Sequence, residues 1–93
     1  MERTVSIVPE AGLHARPASK FVQTANEYEA DLSVGRADDS NADLVSANSM
    51  LAVTGLNVGH GESIRIVANG PDAAKALDAL EAVVTTPVEE LDE

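Results

Sequence analysis

The sequence predicts an α+β domain of two layers, with an antiparallel sheet and helices packed on one face of it. Four short segments alternate polar and apolar residues, which is typical of half-buried strands, and segments with helical spacing of apolar residues lie between them. The predicted order is strand, helix, strand, strand, helix, strand, helix, which favours an antiparallel sheet built from two split units. The length of 93 residues fits a single domain over residues 1–93.

The first strand and the first helix are predicted from a change of period. Residues 4–7 alternate polar and apolar and read as a strand that ends before Pro9, and "EAGLHA" reads as a connecting loop. Because proline is tolerated only in a first turn, the helix is expected to begin between His14 and Pro17 and to end near Asn26 or Glu27. Its apolar stripe has the spacing i, i+3, i+4, i+7 and consists of Ala18, Phe21, Val22 and Ala25.

The middle of the chain predicts two strands, a polar turn and a short helix. Leu32 and Val34 alternate with polar neighbours in the second strand, and "GRADDSNAD", residues 35–43, is interpreted as a polar turn. Residues 43–47 form a weaker third strand. The stretch "NSMLAVTGLN" favours a short helix capped by Asn48 or Ser49, with Gly55 near its end.

The last strand and helix carry the strongest periodic signals. "SIRIVA", residues 63–68, alternates as a fourth strand after the loop "NVGHGES". In "NGPDAAKALDALEAVV" the predicted cap is Asn69 or Gly70, and Pro71 lies in the first turn. The acidic tail, residues 88–93, is expected to be loose. The buried stripe of this helix is predicted to be Ala73, Leu77, Leu80 and Val84.

Charge and composition narrow the functional classes. Sixteen Asp and Glu against six Lys and Arg give a net charge of −10, which repels nucleic acid and anionic lipid. Because the acidic residues are spread along the chain, they favour a solvated surface of the halophile type over an acidic face for a basic partner, and stability is expected to rise with salt.

The absence of cysteine excludes disulfides and thiolate metal sites. Without a signal peptide or an apolar run long enough to span a membrane, we expect a cytoplasmic protein with no direct membrane insertion.

The stretch "GLHARPA", residues 12–18, has the parts of a phosphohistidine site. A helix N-terminus offers unpaired N–H groups and a partial positive charge that together bind anions. His14 stands there with an imidazole nitrogen that can attack a phosphoryl group and carry it covalently. Arg16 can hold the phosphoryl oxygens with two bonds, and Pro17 fixes the first turn.

This stretch also resembles the active-site motif of the HPr family, the histidine-containing phosphocarriers of the sugar phosphotransferase system. The segment "SANSMLAVTGLNVGHGESIRI" is similar to the regulatory serine of the family, its short second helix and its fourth strand, and "NGPDAAKALDALEAVV" is similar to its last helix. Nearly the whole chain is covered in the right order, with an acidity that marks a halophile-type member. The resemblance implies an open-faced sandwich of four antiparallel strands covered by three helices.

The resemblance also implies a role for particular residues and partners. His14 is the phosphoryl acceptor, through Nδ1, and Arg16 stabilises the phosphate. The donor is enzyme I, charged by phosphoenolpyruvate, and the acceptor is the A component of a sugar-specific enzyme II or a dihydroxyacetone kinase subunit. The family needs no metal or organic cofactor, and its members are substrates of other phosphotransferases rather than enzymes. We expect a monomer.

Two further features of the family are altered in this chain. Ser49 matches the regulatory serine, yet Asn48 stands where Lys or Arg commonly precedes it, so a capping role competes with phosphorylation. By the resemblance, the exposed apolar patch that follows this serine in the family reads here as Met50, Leu51 and Thr54. Separately, Met50, Leu51 and Val53 cannot all face the sheet from one short helix, because successive residues turn by about 100°, so at least one of them is expected to stay exposed.

Other interpretations have less support. "DSNAD", residues 39–43, begins like a calcium loop, but Leu44 and Met50 stand where such a loop has Gly and Glu. His60 lies between glycines as an exposed turn residue, and two histidines without cysteine make a zinc site improbable. A regulatory binding module of the same fold, without phosphoryl transfer, stays as an alternative that the presence of both His14 and Arg16 disfavours.

Overall fold

The computed structural model describes residues 1–8, 12–13, 15–37 and 44–86. His14, the "DSNAD" stretch and the tail at residues 88–93 therefore lie outside the described residues. Within them, four strands and three helices follow one another in the predicted order. The elements are β1 (Glu2–Ser6), α1 (Ala15–Ala25), β2 (Asp31–Arg36), β3 (Val45–Ser46), α2 (Met50–Gly55), β4 (Ser63–Asn69) and α3 (Ala73–Val84).

The strands form one antiparallel sheet in the order β1-β4-β2-β3. Val5 lies opposite Ile64, and Val34 lies opposite Ile66, so the apolar members of each alternation share one face. Residues of the other face, such as Thr4, are exposed. The strand patterns in the sequence thus reflect a sheet with one buried face and one solvated face.

The helices cover the apolar face of this sheet. α3 packs on β4 and β1, α1 packs beside α3, and α2 packs against α1 and β3. The predicted stripe of α3 is buried at every position, and in the stripe of α1 only Val22 stays partly exposed. The α+β two-layer fold predicted from the sequence is confirmed. The largest side chains of the core are Phe21, Ile7, Leu13, Ile64, Ile66, Leu77 and Leu80.

Two predicted strand boundaries were wrong. β2 continues through Gly35 and Arg36, which the sequence had placed in the polar turn, because they pair with Arg65 and Ile64 of β4. Among the described residues, β3 is shorter than predicted, since it spans Val45–Ser46 and pairs with Val34 and Ser33 of β2, while Asp43 lies outside the described residues. Composition alone marked Gly35 and Arg36 as turn residues, but pairing with a long central partner overrides local preference.

The predicted cap of α3 was also wrong. The residue at the cap position is Asp72, not Asn69 or Gly70, and its side chain makes no capping hydrogen bond. Its carboxylate instead accepts hydrogen bonds from the backbone N–H groups of Glu29 and Ala30, both at 2.9 Å. Asp72 therefore ties the start of α3 to the connection between α1 and β2, a contact across the fold that no local pattern encodes.

Candidate functional site

The first turn of α1 presents the predicted anion-binding end of the helix. The helix begins at Ala15, Arg16 is exposed at its second position, and Pro17 is buried in its first turn. No acidic residue lies in that turn, although the chain has sixteen Asp and Glu. The N–H groups and the partial positive charge of the helix end are thus not met by a carboxylate of the turn itself.

Gly12 and Leu13, which precede this end of α1 along the chain, contact the loop that follows α2. The Leu13 N–H donates to the carbonyl oxygen of Val58 at 2.9 Å, and its side chain is fully buried. Gly12 has φ of 75°, and a Cβ there would lie 2.6 Å from the Val58 carbonyl oxygen and 2.8 Å from the Gly59 Cα. Only glycine fits this position, because both the backbone conformation and the space exclude a side chain.

α2 packs against α1 and contains the residues predicted to form the partner patch. Ser49 is its N-cap, since its hydroxyl accepts a hydrogen bond from the Ala52 N–H at 3.3 Å. Val53 is fully buried, whereas Leu51 is 85% exposed and Met50 40% exposed. α2 therefore turns one apolar side chain into the core and leaves two at the surface.

Thr54, the third residue of the predicted patch, uses its hydroxyl proton within α2. Its hydroxyl donates to the carbonyl oxygens of Met50 at 2.9 Å and of Leu51 at 3.2 Å, within its own helix. The patch of Met50, Leu51 and Thr54 is therefore apolar in character, which suits a transient contact with a partner protein.

The second histidine has a different setting. His60 is exposed, as predicted, and its Nδ1 lies 2.7 Å from the carbonyl oxygen of Val8, to which it can donate. Among the residues with described positions, no group of three or more histidine and acidic side chains is placed to hold a metal ion. Away from this histidine, hydrogen bonds to Asp78 and Glu81 raise the pKa of Arg3.

The sequence did not reveal two charged residues that bind the loop in contact with Gly12 and Leu13. Arg36 at the end of β2 and Glu62 before β4 form an ion pair, and both bind the loop on which Gly12 and Leu13 rest. Each appeared only as a polar residue in a turn or loop. The two are far apart along the chain, so no spacing rule links them.

The amino-acid sequence matches a known protein family over most of the chain. The profile of the family described as "PTS HPr component phosphorylation site" matches residues 1–86. The chain belongs to the HPr family. The phosphocarrier protein HPr of Haloferax volcanii is 68% identical over 87 residues, which cover 94% of this chain and 96% of that protein. HPr of Streptomyces coelicolor is 41% identical over 92 residues, covering 99% and 96%.

A solved structure shares the fold as well. The crystal structure of HPr from Bacillus anthracis superposes with a TM-score of 0.82 at 37% identity, covering 90% of this chain and 95% of that one. Membership in the HPr family confirms the function predicted from "GLHARPA", a phosphocarrier of the phosphotransferase system, rather than a regulatory module alone. In the described part of the chain, no helix is both long and apolar enough to cross a membrane.

Proposed function

We propose that the chain accepts a phosphoryl group on Nδ1 of His14 from phosphorylated enzyme I and passes it to the A component of a sugar-specific enzyme II. The observation that carries the proposal is the match of residues 1–86 to the family's phosphorylation site, with both His14 and Arg16 in the motif. The same chemistry would serve a dihydroxyacetone kinase subunit as the acceptor. The chain would then be a cytoplasmic monomer and a substrate of phosphotransferases, with no metal or cofactor of its own.

The proposed step exchanges one bond to phosphorus for another. The lone pair of the His14 nitrogen attacks phosphorus while the bond to the donor group of enzyme I breaks, and the reverse exchange hands the group on. Negative charge on the phosphoryl oxygens is stabilised by the N–H groups at the start of α1 and by the guanidinium of Arg16. The absence of a carboxylate in the first turn supports this role, since a carboxylate there would repel the phosphoryl group.

Docking is assigned to the apolar patch on α2. Residues 44–61 contain no Asp, Glu, Lys or Arg in a chain whose net charge is −10. A partner that covers Met50, Leu51 and Thr54 therefore buries apolar surface without removing charges from water. Leu51 contributes most to this contact, because it is the most exposed large hydrophobic residue in the described part of the chain.

Labelling with phosphoenolpyruvate and the cognate enzyme I tests the acceptor. We expect intact mass to show one acid-labile phosphoryl group on the wild type and on His60→Ala, but none on a folded His14→Ala variant. Arg16→Ala should slow labelling without abolishing it, because the helix end still supplies N–H donors. Labelling of His14→Ala at the wild-type level would refute the assignment.

A further inference from the structure

The loop at residues 56–62, here called the support loop, carries the two residues that precede His14. Leu13 donates its N–H to Val58 of this loop at 2.9 Å, and Gly12 packs against the backbone of Val58 and Gly59 too closely for any side chain. The backbone just before the proposed acceptor thus takes its position from the support loop.

Arg36 binds the start of the support loop. Its Nη1 donates to the carbonyl oxygens of Leu56 at 3.3 Å and Asn57 at 2.9 Å. These carbonyls follow the end of α2, where Asn57 adopts φ of 56° and the helix has run out of backbone donors. A guanidinium there also suits the negative end of the helix dipole.

Glu62 closes the same network at the end of the loop. Its carboxylate pairs with Nη2 of Arg36, and its Oε1 accepts a hydrogen bond from the Gly59 N–H at 2.7 Å. One arginine and one carboxylate therefore bind the start and the middle of the support loop, whose end is also held by hydrogen bonds between Ile7 and the backbone of Gly61 and Glu62. The Gly59 N–H that Glu62 holds lies directly after the Val58 carbonyl that receives Leu13.

We propose that Arg36 and Glu62 are positioning residues for phosphoryl transfer, acting through the support loop on Gly12 and Leu13. The inference rests on the proposed function of His14. Transfer between two proteins requires the attacking nitrogen to be held within a fraction of an ångström of the donor phosphorus, and small displacements of a reacting group are costly. We assign them as positioning residues rather than catalytic residues, because they contact each other and the backbone of the support loop.

A second arginine in the chain provides a matched control. Arg3 bonds Asp78 at 2.6 Å and Glu81 at 2.9 Å, which joins β1 to α3. Its side chain is 31% exposed, compared with 28% for Arg36. Loss of either arginine removes its contacts with carboxylates from a side chain of similar exposure, but only the loss of Arg36 removes hydrogen bonds to the support loop.

The experiment compares Arg36→Met, Glu62→Gln and Arg3→Met with the full-length wild type, well below their melting temperatures. With enzyme I and phosphoenolpyruvate, we expect Arg36→Met to lower kcat about tenfold while KM for the carrier stays within about twofold, because docking is intact and alignment is lost. Glu62→Gln should shift kcat in the same direction by a smaller factor. Arg3→Met should leave both constants within about twofold of the wild type.

Hydrogen exchange supplies a readout that does not depend on transfer. The amide of Leu13 should exchange about tenfold faster, relative to that of Ile66 in the centre of the sheet, in Arg36→Met but not in Arg3→Met. If Arg36→Met does not fold, the near-isosteric Glu62→Gln variant decides by the same two measurements. Equal losses of kcat in Arg36→Met and Arg3→Met, or unchanged Leu13 exchange in both Arg36→Met and Glu62→Gln, would overturn the positioning role. A wild type that accepts no phosphoryl group would overturn the proposed function itself.

Discussion

Helices α2 and α3 use their apolar side chains in opposite ways. Of the twelve residues of α3, six are buried against the sheet and the neighbouring helix. α2 has six residues, and among them only Val53 is buried, while Leu51 is 85% exposed and Met50 40% exposed. α3 therefore builds the core, whereas α2 leaves two of its three large apolar side chains exposed to solvent.

The two helices differ in charge as well. The exposed side of α3 carries Lys75, Asp78 and Glu81, as expected for a surface helix of an acidic protein. α2 has no charged residue at all. An exposed, uncharged apolar surface is unfavourable for an isolated protein, so the exposed side of α2 fits the docking role proposed for it, whereas the buried side of α3 serves stability.

The largest expected difference between the helices is in stability. Leu77→Ala in α3 should lower the free energy of unfolding by about 2–5 kcal/mol, because it leaves a cavity in the core. The same truncation in α2, Leu51→Ala, should change that free energy by less than about 0.5 kcal/mol. Denaturant unfolding of the two variants measures both values. Similar losses would mean that Leu51 is part of the core and that the contrast between the helices is false.

The next effect concerns transfer. Leu51→Glu should lower the rate of phosphoryl transfer at limiting partner about ten- to hundredfold, since each factor of ten corresponds to about 1.4 kcal/mol of lost contact. The melting temperature should hardly move, because the side chain is exposed. An unchanged rate with an intact fold would place the docking surface away from α2.

The contrast also shows which parts of the molecule the sequence could predict. The stripe of α3 follows from one rule of spacing, and every predicted member is buried. The alternation in β4 is likewise a local signal that the structure has, and of the two caps predicted for α2, Asn48 or Ser49, the structure has Ser49. These local patterns were read correctly because periodicity and capping act over one or two turns, whereas the cap of α3 was misplaced.

Features that depend on distant partners were missed. Arg36 and Glu62 form an ion pair between residues far apart in the sequence. Asp72 accepts hydrogen bonds from the backbone of Glu29 and Ala30. β2 extends beyond its predicted end because its last residues pair with β4. The motif around His14 was recognised because its residue types are specific to its chemistry. The residues that hold its backbone in place are chemically ordinary, so only the fold reveals them.

The smallest expected effect concerns the start of α2. Ser49→Ala removes the cap on the Ala52 N–H and should lower stability by about 0.5–2 kcal/mol, while transfer from enzyme I stays within about twofold. Ser49→Asn, which keeps a hydrogen-bond acceptor without a charge, should restore most of that stability.

Ser49→Asp keeps the acceptor and adds a negative charge beside the uncharged patch. It should be as stable as the wild type but slower in transfer by a few fold, as a phosphate at this position would be. Unfolding and transfer measured on all three variants separate capping from docking. A large loss of transfer in a folded Ser49→Ala variant would show that the hydroxyl itself contacts the partner, and α2 would then recognise partners through its cap as well as through Leu51.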